Sequence, residues 1–383
     1  MDVREATKKQ TDAAMILSGH VLSSARKDSN VIFSPASINS AITMIAAGPG
    51  GDSAADAILS FLRSSSMDEL KTVFRELSSL VYADSSASGG PKIKSVNGLW
   101  IDKSLEVDPK YKDLFENFFK ALYVPVDFRS KAEEVREEVN SWVEHHTNNL
   151  IKDLLPHGSV ASDTNEIYAN ALYFKGDWEI QFEKNHTEDE DFHLVNGTSV
   201  SVPFMTSDED QYVRAYDGFK VLRLPYRRGS RDDTNRGFSM YFYLPDKKDG
   251  LDDLLEKMAS TPGFLDSHIP SYRDELDEFR IPKFKMEFGF TVTSVLNGLG
   301  LRSLSMYHKA CVEIDEQGAE AAAATAINDD DDVCCDCEPL DFVADHPFLF
   351  LIREDKTGTV LFVGQLLEPS ESCSQSNSDS DDY

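Results

Sequence analysis

Between Gly318 and Leu340 the chain is nearly free of the large apolar side chains from which a protein core is built. Six of the eight residues 319–326 are alanine, and the other two are Glu320 and Thr325. Alanine favours helix, but a helix this short is marginal unless an apolar face packs against something, and no apolar stripe is present here. The stretch therefore favours a second interpretation: a segment that lies exposed as a loop and can enter a crowded sheet as a strand.

A strand built from this segment would have two different faces, because side chains alternate with a period of two. The alternation separates small or apolar residues from a wetter set: Ala319, Ala321, Ala323, Thr325 and Ile327 against Glu320, Ala322 and Ala324. Gly318 precedes the run, and glycine tolerates the backbone conformations that a hinge requires. The pattern predicts a hinged segment suited to insertion between two existing strands.

The chain after the alanines is acidic and rich in cysteine. Residues 329–338 read D-D-D-D-V-C-C-D-C-E, with thiols at Cys334, Cys335 and Cys337. Thiolates and carboxylates could together hold a soft or borderline divalent ion. However, C-C-x-C is not a standard zinc spacing and an exposed loop preorganises ligands poorly, so we expect no metal site and no cofactor.

The charge balance limits the partners. The 383 residues contain 67 Asp and Glu against 38 Lys and Arg, which gives a formal charge of −29. A field of this sign repels nucleic acid and anionic membranes and favours basic partners. We therefore expect neither nucleic acid nor membrane as a partner. With 41% apolar residues the chain can build a sizeable core, and large mixed folds of this length form one domain.

The sequence shows no signal for secretion or membrane insertion. Its first residues, M-D-V-R-E-A-T-K-K-Q, lack an apolar segment, and no run of 18 apolar residues follows. Five cysteines, three of them within residues 329–338, do not form a disulfide framework. We expect a location in the cytoplasm or nucleus, with export by an unconventional route left open.

Two segments carry polar residues where burial is expected. Residues 30–47 predict a short strand, a helix entry at Ser34–Pro35 and a helix that is apolar all round and must be buried. Its Ser37 and Asn39 then need hydrogen-bond partners. Residues 166–178 predict a long apolar strand, E-I-Y-A-N-A-L-Y-F, followed by K-G-D-W.

Other patterns predict local structure only. Residues 131–155 predict one long helix that stops at Pro156, and residues 277–290 predict a single strand. The acidic run H-T-E-D-E-D at 186–191 is typical of a solvated loop. Dense strand signals over 200–244 predict an antiparallel sheet.

These segments together resemble the serpin family. E-Q-G-A-E-A-A-A-A-T-A at 316–326 and D-F-V-A-D-H-P-F at 341–348 resemble the reactive-centre loop and the C-terminal strands of serpins, the second in the form that plant serpins show. N-A-L-Y-F-K-G-D-W at 170–178 and residues 30–47 also resemble serpin signatures, in the family's order. The likeness covers about residues 10–370.

The resemblance implies a fold and a domain organisation. The fold would be α+β, a single serpin domain over residues 1–370 with about three β-sheets and eight or nine helices. The reactive-centre loop would lie exposed at about 318–341. Residues 371–383 are acidic and of low complexity, so we expect a disordered tail.

The resemblance also implies a function. Serpins are single-use inhibitors of serine or cysteine endopeptidases: the protease cleaves the loop and is acylated, and the loop then inserts into the central sheet and displaces the trapped enzyme. The chain would accordingly be an inhibitor rather than an enzyme. Its partner would be a covalently bound endopeptidase, and the chain would act as a monomer without cofactor.

Individual residues receive roles from the same resemblance. The hinge would contain Glu316, Gly318, Ala319, Glu320, Ala321, Ala322, Ala323, Ala324 and Thr325. The buried polar shutter and the breach, where the loop enters the sheet, would contain Ser34, Ser37, Asn170, Trp178 and His308. Counting about fourteen residues beyond the hinge glycine places the reactive bond at Asp332–Val333, or one residue earlier.

Aspartate before the reactive bond predicts a protease with a basic pocket, such as a caspase-like cysteine protease or an aspartate-specific subtilisin-like protease. Two features depart from the family pattern. Ala319 replaces the usual Thr or Ser, and full insertion would place Asp329 and Asp331 on the buried face, where an unpaired carboxylate is costly. The alternative is a non-inhibitory serpin, acting as a binding or regulatory protein or as a protease substrate.

Overall fold

The structure is a computed structural model that describes residues 3–24, 29–49, 51–147, 149, 151–229, 236–293, 297, 306–318 and 340–370. Eight α-helices lie within these ranges: α1 Val3–Ser24, α2 Pro35–Ala47, α3 Asp52–Phe61, α4 Met67–Glu76, α5 Pro109–Asp113, α6 Phe128–His146, α7 Leu251–Ser260 and α8 Phe264–Ser267. None of these helices is long and apolar enough to cross a bilayer. The predicted tail over 371–383 lies outside the described residues.

Sixteen strands lie within the same ranges. They are β1 Val31–Phe33, β2 Lys92–Asp102, β3 Leu122–Val126, β4 Glu166–Lys175, β5 Glu188–His193, β6 Ser199–Met205, β7 Gln211–Tyr216, β8 Phe219–Pro225, β9 Phe238–Pro245, β10 Arg273–Asp274, β11 Leu276–Pro282, β12 Phe284–Thr291, β13 Tyr307–Ile314, β14 Leu340–Val343, β15 Phe348–Glu354 and β16 Val360–Leu366.

The strands form three layers. A seven-stranded sheet has the order β1-β16-β15-β9-β8-β7-β10, and a four-stranded sheet has the order β14-β11-β6-β5. The ladders β3-β2-β4 and β12-β13 lie side by side, because a parallel bridge at Tyr168–Met306 joins them. They form one surface of five strands in the order β3-β2-β4-β13-β12, so the α+β fold with about three sheets is confirmed.

Helix α2 lies between the five-stranded surface and the seven-stranded sheet, in contact with β4 and β16. Twelve of its thirteen residues are buried, as its uniformly apolar sequence predicts. The Ser34 hydroxyl caps the helix by accepting a hydrogen bond from the Ser37 backbone N–H at 3.1 Å, and Pro35 occupies the first turn, where a missing N–H costs nothing.

The prediction of one helix from 131 to 155 is wrong at its end, because α6 stops at His146. Beyond it, Asn149 has φ +61° and Asp153 has φ +48°, a left-handed backbone that no α-helix accommodates. The Asn140 side chain holds the returning chain by accepting from the Leu155 N–H at 2.8 Å and donating to the Leu155 carbonyl at 2.9 Å. A side chain on α6 thus replaces the helical bonds that the pattern predicted.

Two further predictions of local structure are wrong. Residues 188–193 are not a loop but β5, an edge strand paired antiparallel with β6, whose Phe192 is fully buried. The single strand predicted over 277–290 divides at Lys283 into β11 and β12, which belong to different sheets. The division matters for the site, because it places the Lys283 side chain between two sheets.

Candidate functional site

The five-stranded surface contains a seam, which we define as the line between β4 and β13. The two strands run parallel, and Tyr168–Met306 joins one end of the seam. At the other end the Trp178 N–H donates to the Gln317 carbonyl at 3.0 Å and the Phe182 N–H donates to the Glu316 carbonyl at 2.9 Å. Between these ends, no ladder joins β4 to β13 in the part of the chain that the structure describes.

One end of the seam is closed by a set of side chains that we call the hinge cluster: Trp178, Thr187, Lys283, Glu316 and Gly318. The Glu316 side chain is only 5% exposed, and the Lys283 ammonium lies 2.8 Å from both of its oxygens. Thr187 Oγ1 donates to Glu316 Oε1 at 2.9 Å. Burial acts to raise the pKa of Glu316, but the hydrogen bonds to its carboxylate, that from Lys283 first, outweigh burial and hold the pKa below the ordinary value.

Trp178 fixes the backbone of the hinge cluster. Its Nε1–H donates to the Asp315 carbonyl at 2.9 Å, and its ring stacks on Tyr226 with the centroids 4.6 Å apart. The side chain is 2% exposed. One buried indole therefore ties the end of β13 to the segment that follows β4.

Gly318 is the last described residue of this segment, and only glycine fits there. Its φ is +90°, and a Cβ would lie 2.5 Å from the Trp178 nitrogen and 2.6 Å from the Gly176 oxygen. Gly318 lies four residues beyond the last residue of β13, at the end of the seam. Because β4 and β13 are parallel, a segment that turns back from Gly318 along the seam would run antiparallel to both.

Beneath the seam lies a second set of side chains, the polar cluster: Ser34, Ser37, Asn97, Asn170 and His308. The Ser34 N–H donates to His308 Nε2 at 2.9 Å. Burial lowers the pKa of His308 to about 3, so the ring is neutral at pH 7 and can accept this bond. A β13 residue is thereby bound to the first turn of α2.

The polar cluster is incompletely satisfied. Asn170 on β4 donates to the Asn97 oxygen on β2, and Asn97 donates to the Phe119 carbonyl at 3.3 Å. Among the described residues, the buried oxygens Ser37 Oγ and Asn170 Oδ1, and Asn39 Oδ1 nearby on α2, have no hydrogen-bond partner. A buried polar atom without a partner costs about 1–3 kcal/mol, so a rearrangement that gave these oxygens a partner would be favourable.

The structure places the sequence-derived site residues in two groups along one seam. Ser34, Ser37, Asn170 and His308 lie in the polar cluster, whereas Trp178, Glu316 and Gly318 lie in the hinge cluster. Residues Ala319, Glu320, Ala321, Ala322, Ala323, Ala324 and Thr325 and the bond Asp332–Val333 lie outside the described residues.

Three residues of the site were missed by sequence reasoning. Asn97, Thr187 and Lys283 are 73, 129 and 33 residues distant from the side chains that they bind. Thr187 was assigned to a loop and Lys283 to the middle of a strand, so no local pattern marked them.

The hinge cluster gives a first prediction. Glu316→Gln removes the charge that pairs with Lys283 while keeping the shape, and a hydrogen bond to a buried charged group is worth about 2 kcal/mol. We expect the unfolding temperature of the uncut protein to fall by about 2–3 °C. Differential scanning calorimetry measures this shift.

The matched control is Glu313→Gln on the same strand. Glu313 also pairs with a lysine, Lys285, at 2.8 Å, but both side chains are about half exposed. Such a pair contributes little, so the control should shift the unfolding temperature by less than about 1 °C. Equal shifts in the two variants would contradict a special role for Glu316.

Comparison with known proteins agrees with this geometry. The family model described as Serpin (serine protease inhibitor) matches residues 8–305 and 303–369. The chain is 80% identical to Serpin-Z1 of Arabidopsis thaliana over the full length of both chains. It is 60% identical to the protein named Probable non-inhibitory serpin-Z5 of the same plant, over 97% of this chain and 86% of that one.

A solved structure has the same fold. The native stressed conformation of Arabidopsis AtSerpin1 superimposes with a TM-score of 0.88 at 48% sequence identity, covering 97% of this chain and all of that one. The matched residues include both the hinge cluster and the polar cluster. The chain therefore belongs to the serpin family of serine protease inhibitors and, within it, to the plant serpin-Z group.

Proposed function

We propose that this serpin inhibits an endopeptidase by inserting its cleaved reactive-centre loop into the seam between β4 and β13. The observation that supports this most directly is the direction of the strands at Gly318. A segment that turns back there runs antiparallel to β4 on one side and to β13 on the other, so it can pair with both.

Insertion also has a favourable energetic basis. A strand that enters the seam supplies backbone partners to the facing edges of β4 and β13, and each such bond contributes about 1 kcal/mol net. The seam lies above the polar cluster, in which Ser37 Oγ and Asn170 Oδ1 have no hydrogen-bond partner among the described residues. A rearrangement that satisfied Asn170 Oδ1 would add to the gain.

The proposed reactive bond is Asp332–Val333. The nucleophilic oxygen or sulfur of the protease attacks the Asp332 carbonyl carbon, the peptide bond breaks, and the Val333 amine leaves with a proton from the protease's general acid. The Asp332 acyl group remains bound to the protease as an ester of a serine oxygen or a thioester of a cysteine sulfur. Insertion of the loop then displaces the enzyme before water can hydrolyse this bond, which leaves a covalent complex of one chain with one protease.

We further propose that the target prefers aspartate. A carboxylate before the reactive bond matches a basic specificity pocket and would be repelled by an acidic one. On this proposal the chain acts as a monomer, without turnover of its own, against a protease of the cytoplasm or nucleus. The aspartate preference rests on the loop sequence, the monomeric state and the absence of turnover rest on the family, and the location rests on the first residues of the chain, which lack an apolar segment.

A second candidate function is that of a protease substrate or non-inhibitory regulator. Asp329 and Asp331 fall on the face that would be buried, and a carboxylate transferred from water costs several kcal/mol unless it protonates or pairs. One relative of this chain, 60% identical to it, carries the name Probable non-inhibitory serpin-Z5. If insertion is slow, the acyl-enzyme hydrolyses first.

Incubation with an aspartate-specific cysteine protease distinguishes the two candidates. We expect a band on a denaturing gel with the summed mass of the protease and the large fragment of the chain. Mass spectrometry of the released C-terminal fragment should show Val333 as its first residue. Rapid cleavage without a denaturant-resistant complex would instead establish the second candidate.

Asp332→Lys is the matched control for specificity. This variant should lose the complex with the aspartate-specific enzyme and be cleaved by trypsin at the new lysine, because trypsin's acidic pocket accepts it. An unchanged complex with the aspartate-specific enzyme would contradict Asp332 as the recognised residue.

A further inference from the structure

The hinge cluster contains the Thr187 hydroxyl, which lies just before strand β5. Thr187 lies directly between the exposed turn Lys184–His186 and the first residue of β5, and its side chain is half-buried. Ladder pairing begins only at the next residue, with Glu188 opposite Phe204. Thr187 therefore lies just outside the ladder that β5 forms with β6.

The residues after Thr187 are an acidic run on an open sheet edge. Among the described strands, β5 is the outer strand of the four-stranded sheet and pairs with β6, and the N–H of its last residue, His193, also donates to the Asp345 carbonyl at 2.7 Å. Glu188, Asp189 and Asp191 are exposed and Glu190 is half-exposed. Carboxylates one to four residues beyond a hydroxyl form the charge pattern that a serine/threonine kinase with a basic substrate groove selects.

We propose that Thr187 is a phosphorylation site for such an acidophilic kinase and that a phosphate there loosens the hinge end of the seam. In the transfer, Thr187 Oγ1 attacks the γ-phosphorus of ATP and a new O–P bond forms. The bond from the γ-phosphorus to the bridging oxygen breaks, ADP leaves, and the hydroxyl proton passes to the base of the kinase.

The contact between Thr187 and Glu316 explains why a phosphate would act on the seam. The hydroxyl now donates to the Glu316 carboxylate at 2.9 Å. A phosphorylated threonine cannot donate this bond, and it places a charge of about −1.5 to −2 beside a buried carboxylate. The new oxygens also compete with Glu316 for the Lys283 ammonium, which lies 2.8 Å from that carboxylate.

The loss of these contacts falls on the point where the chain leaves β13. Glu316 also accepts from the Phe182 N–H through its backbone carbonyl, and Gly318 follows two residues later. Repulsion at the side chain therefore acts on the same backbone that closes the seam. A phosphate on Thr187 would lower the stability of the uncut form, and the effect on inhibition rests on the proposed function.

The chain supplies its own control at Ser207. Ser207 precedes the acidic run Asp208, Glu209, Asp210, just as Thr187 precedes Glu188, Asp189, Glu190. The Ser207 hydroxyl accepts from the Glu209 N–H at 3.2 Å, a bond within its own loop. The two sites thus share the kinase pattern, while only Thr187 contacts the hinge cluster.

The first experiment treats the full, uncut chain with a purified acidophilic serine/threonine kinase and ATP, and locates phosphate by mass spectrometry. A synthetic peptide of residues 183–193 serves as the activity control for the enzyme. We expect phosphate on Thr187 in both. If the kinase phosphorylates the peptide but not Thr187 of the folded chain, the proposal is wrong. It is also wrong if the kinase phosphorylates Ser207 of the folded chain but leaves the peptide unphosphorylated.

The second experiment measures the unfolding temperature of three uncut variants. Thr187→Glu, which adds a negative charge beside Glu316, should lower it by about 3 °C, and Thr187→Val, which removes only the hydroxyl, by about half as much. Ser207→Glu should change it by less than about 1 °C. Equal values for the two glutamate variants would refute the coupling to the hinge cluster.

The two proposals can fail separately. If Thr187 is phosphorylated and Thr187→Glu lowers the unfolding temperature but cutting the loop does not raise it, the phosphorylation proposal stands and loop insertion fails. If cutting raises the unfolding temperature while Thr187→Glu behaves as Ser207→Glu, insertion stands and the regulatory coupling fails.

Discussion

Cleavage of the chain within residues 329–335 is expected to raise its unfolding temperature by about 20 °C or more. An inserted central strand of about ten residues forms about twenty backbone hydrogen bonds, each worth about 1 kcal/mol net. For a chain of this length the entropy of unfolding is about 0.8 kcal/mol per kelvin, so the gain converts to a shift of that size. Calorimetry before and after limited proteolysis measures it.

The matched control is a cut in the connection between β8 and β9, outside the loop. β8 and β9 are adjacent antiparallel strands, so the segment between them connects neighbouring strands of one sheet. A nick there releases no segment that could enter the seam, and the unfolding temperature should fall or stay unchanged. An equal or lower unfolding temperature after loop cleavage would rule out loop insertion. The chain would then have the serpin fold but would not inhibit by the proposed mechanism.

Ala323→Glu is expected to abolish the stable protease complex and turn the chain into a substrate. The alternation places position 323 on the face that insertion buries, where an unpaired carboxylate costs several kcal/mol. A barrier raised by about 3 kcal/mol slows insertion more than about a hundredfold. Hydrolysis of the acyl-enzyme is then faster than loop insertion. The ratio of complex to cleaved chain on a denaturing gel should therefore fall at least about tenfold.

Ala322→Glu is the neighbouring control. It introduces the same charge one residue away, on the face that already carries Glu320. We expect this variant to keep most of its complex formation. Equal loss in both variants would mean that the loop does not enter the sheet as an alternating strand.

The two predictions test different links of one mechanism. The unfolding temperature reports whether the cut segment enters the seam. The variants Ala323→Glu and Ala322→Glu report whether it enters before deacylation and in the expected register. A chain that gains stability on cleavage but forms no complex would be a serpin whose insertion is slower than deacylation. Asp329 and Asp331 on the buried face supply the physical reason for such an outcome.

Much of the fold follows from local chemistry in the sequence. The buried helix α2, its Ser34 cap, the strand β4 and the C-terminal strands follow from apolar periodicity and capping residues, which act over a few positions. The sequence predicts at Gly318 a backbone conformation that glycine tolerates, and the φ of +90° shows that this position needs glycine. Each of these features is encoded within a few neighbouring residues.

Tertiary structure alone decided which side chains of the site contact one another. The contact of Glu316 with Lys283 and Thr187, and that of Asn170 with Asn97, join residues between 33 and 129 positions apart. The end of α6 and the edge strand β5 were likewise decided by neighbours, the Asn140 side chain and the strand β6. Hydrogen bonds between distant segments leave no periodic trace in a sequence, because they depend on where the packed sheets bring two side chains together.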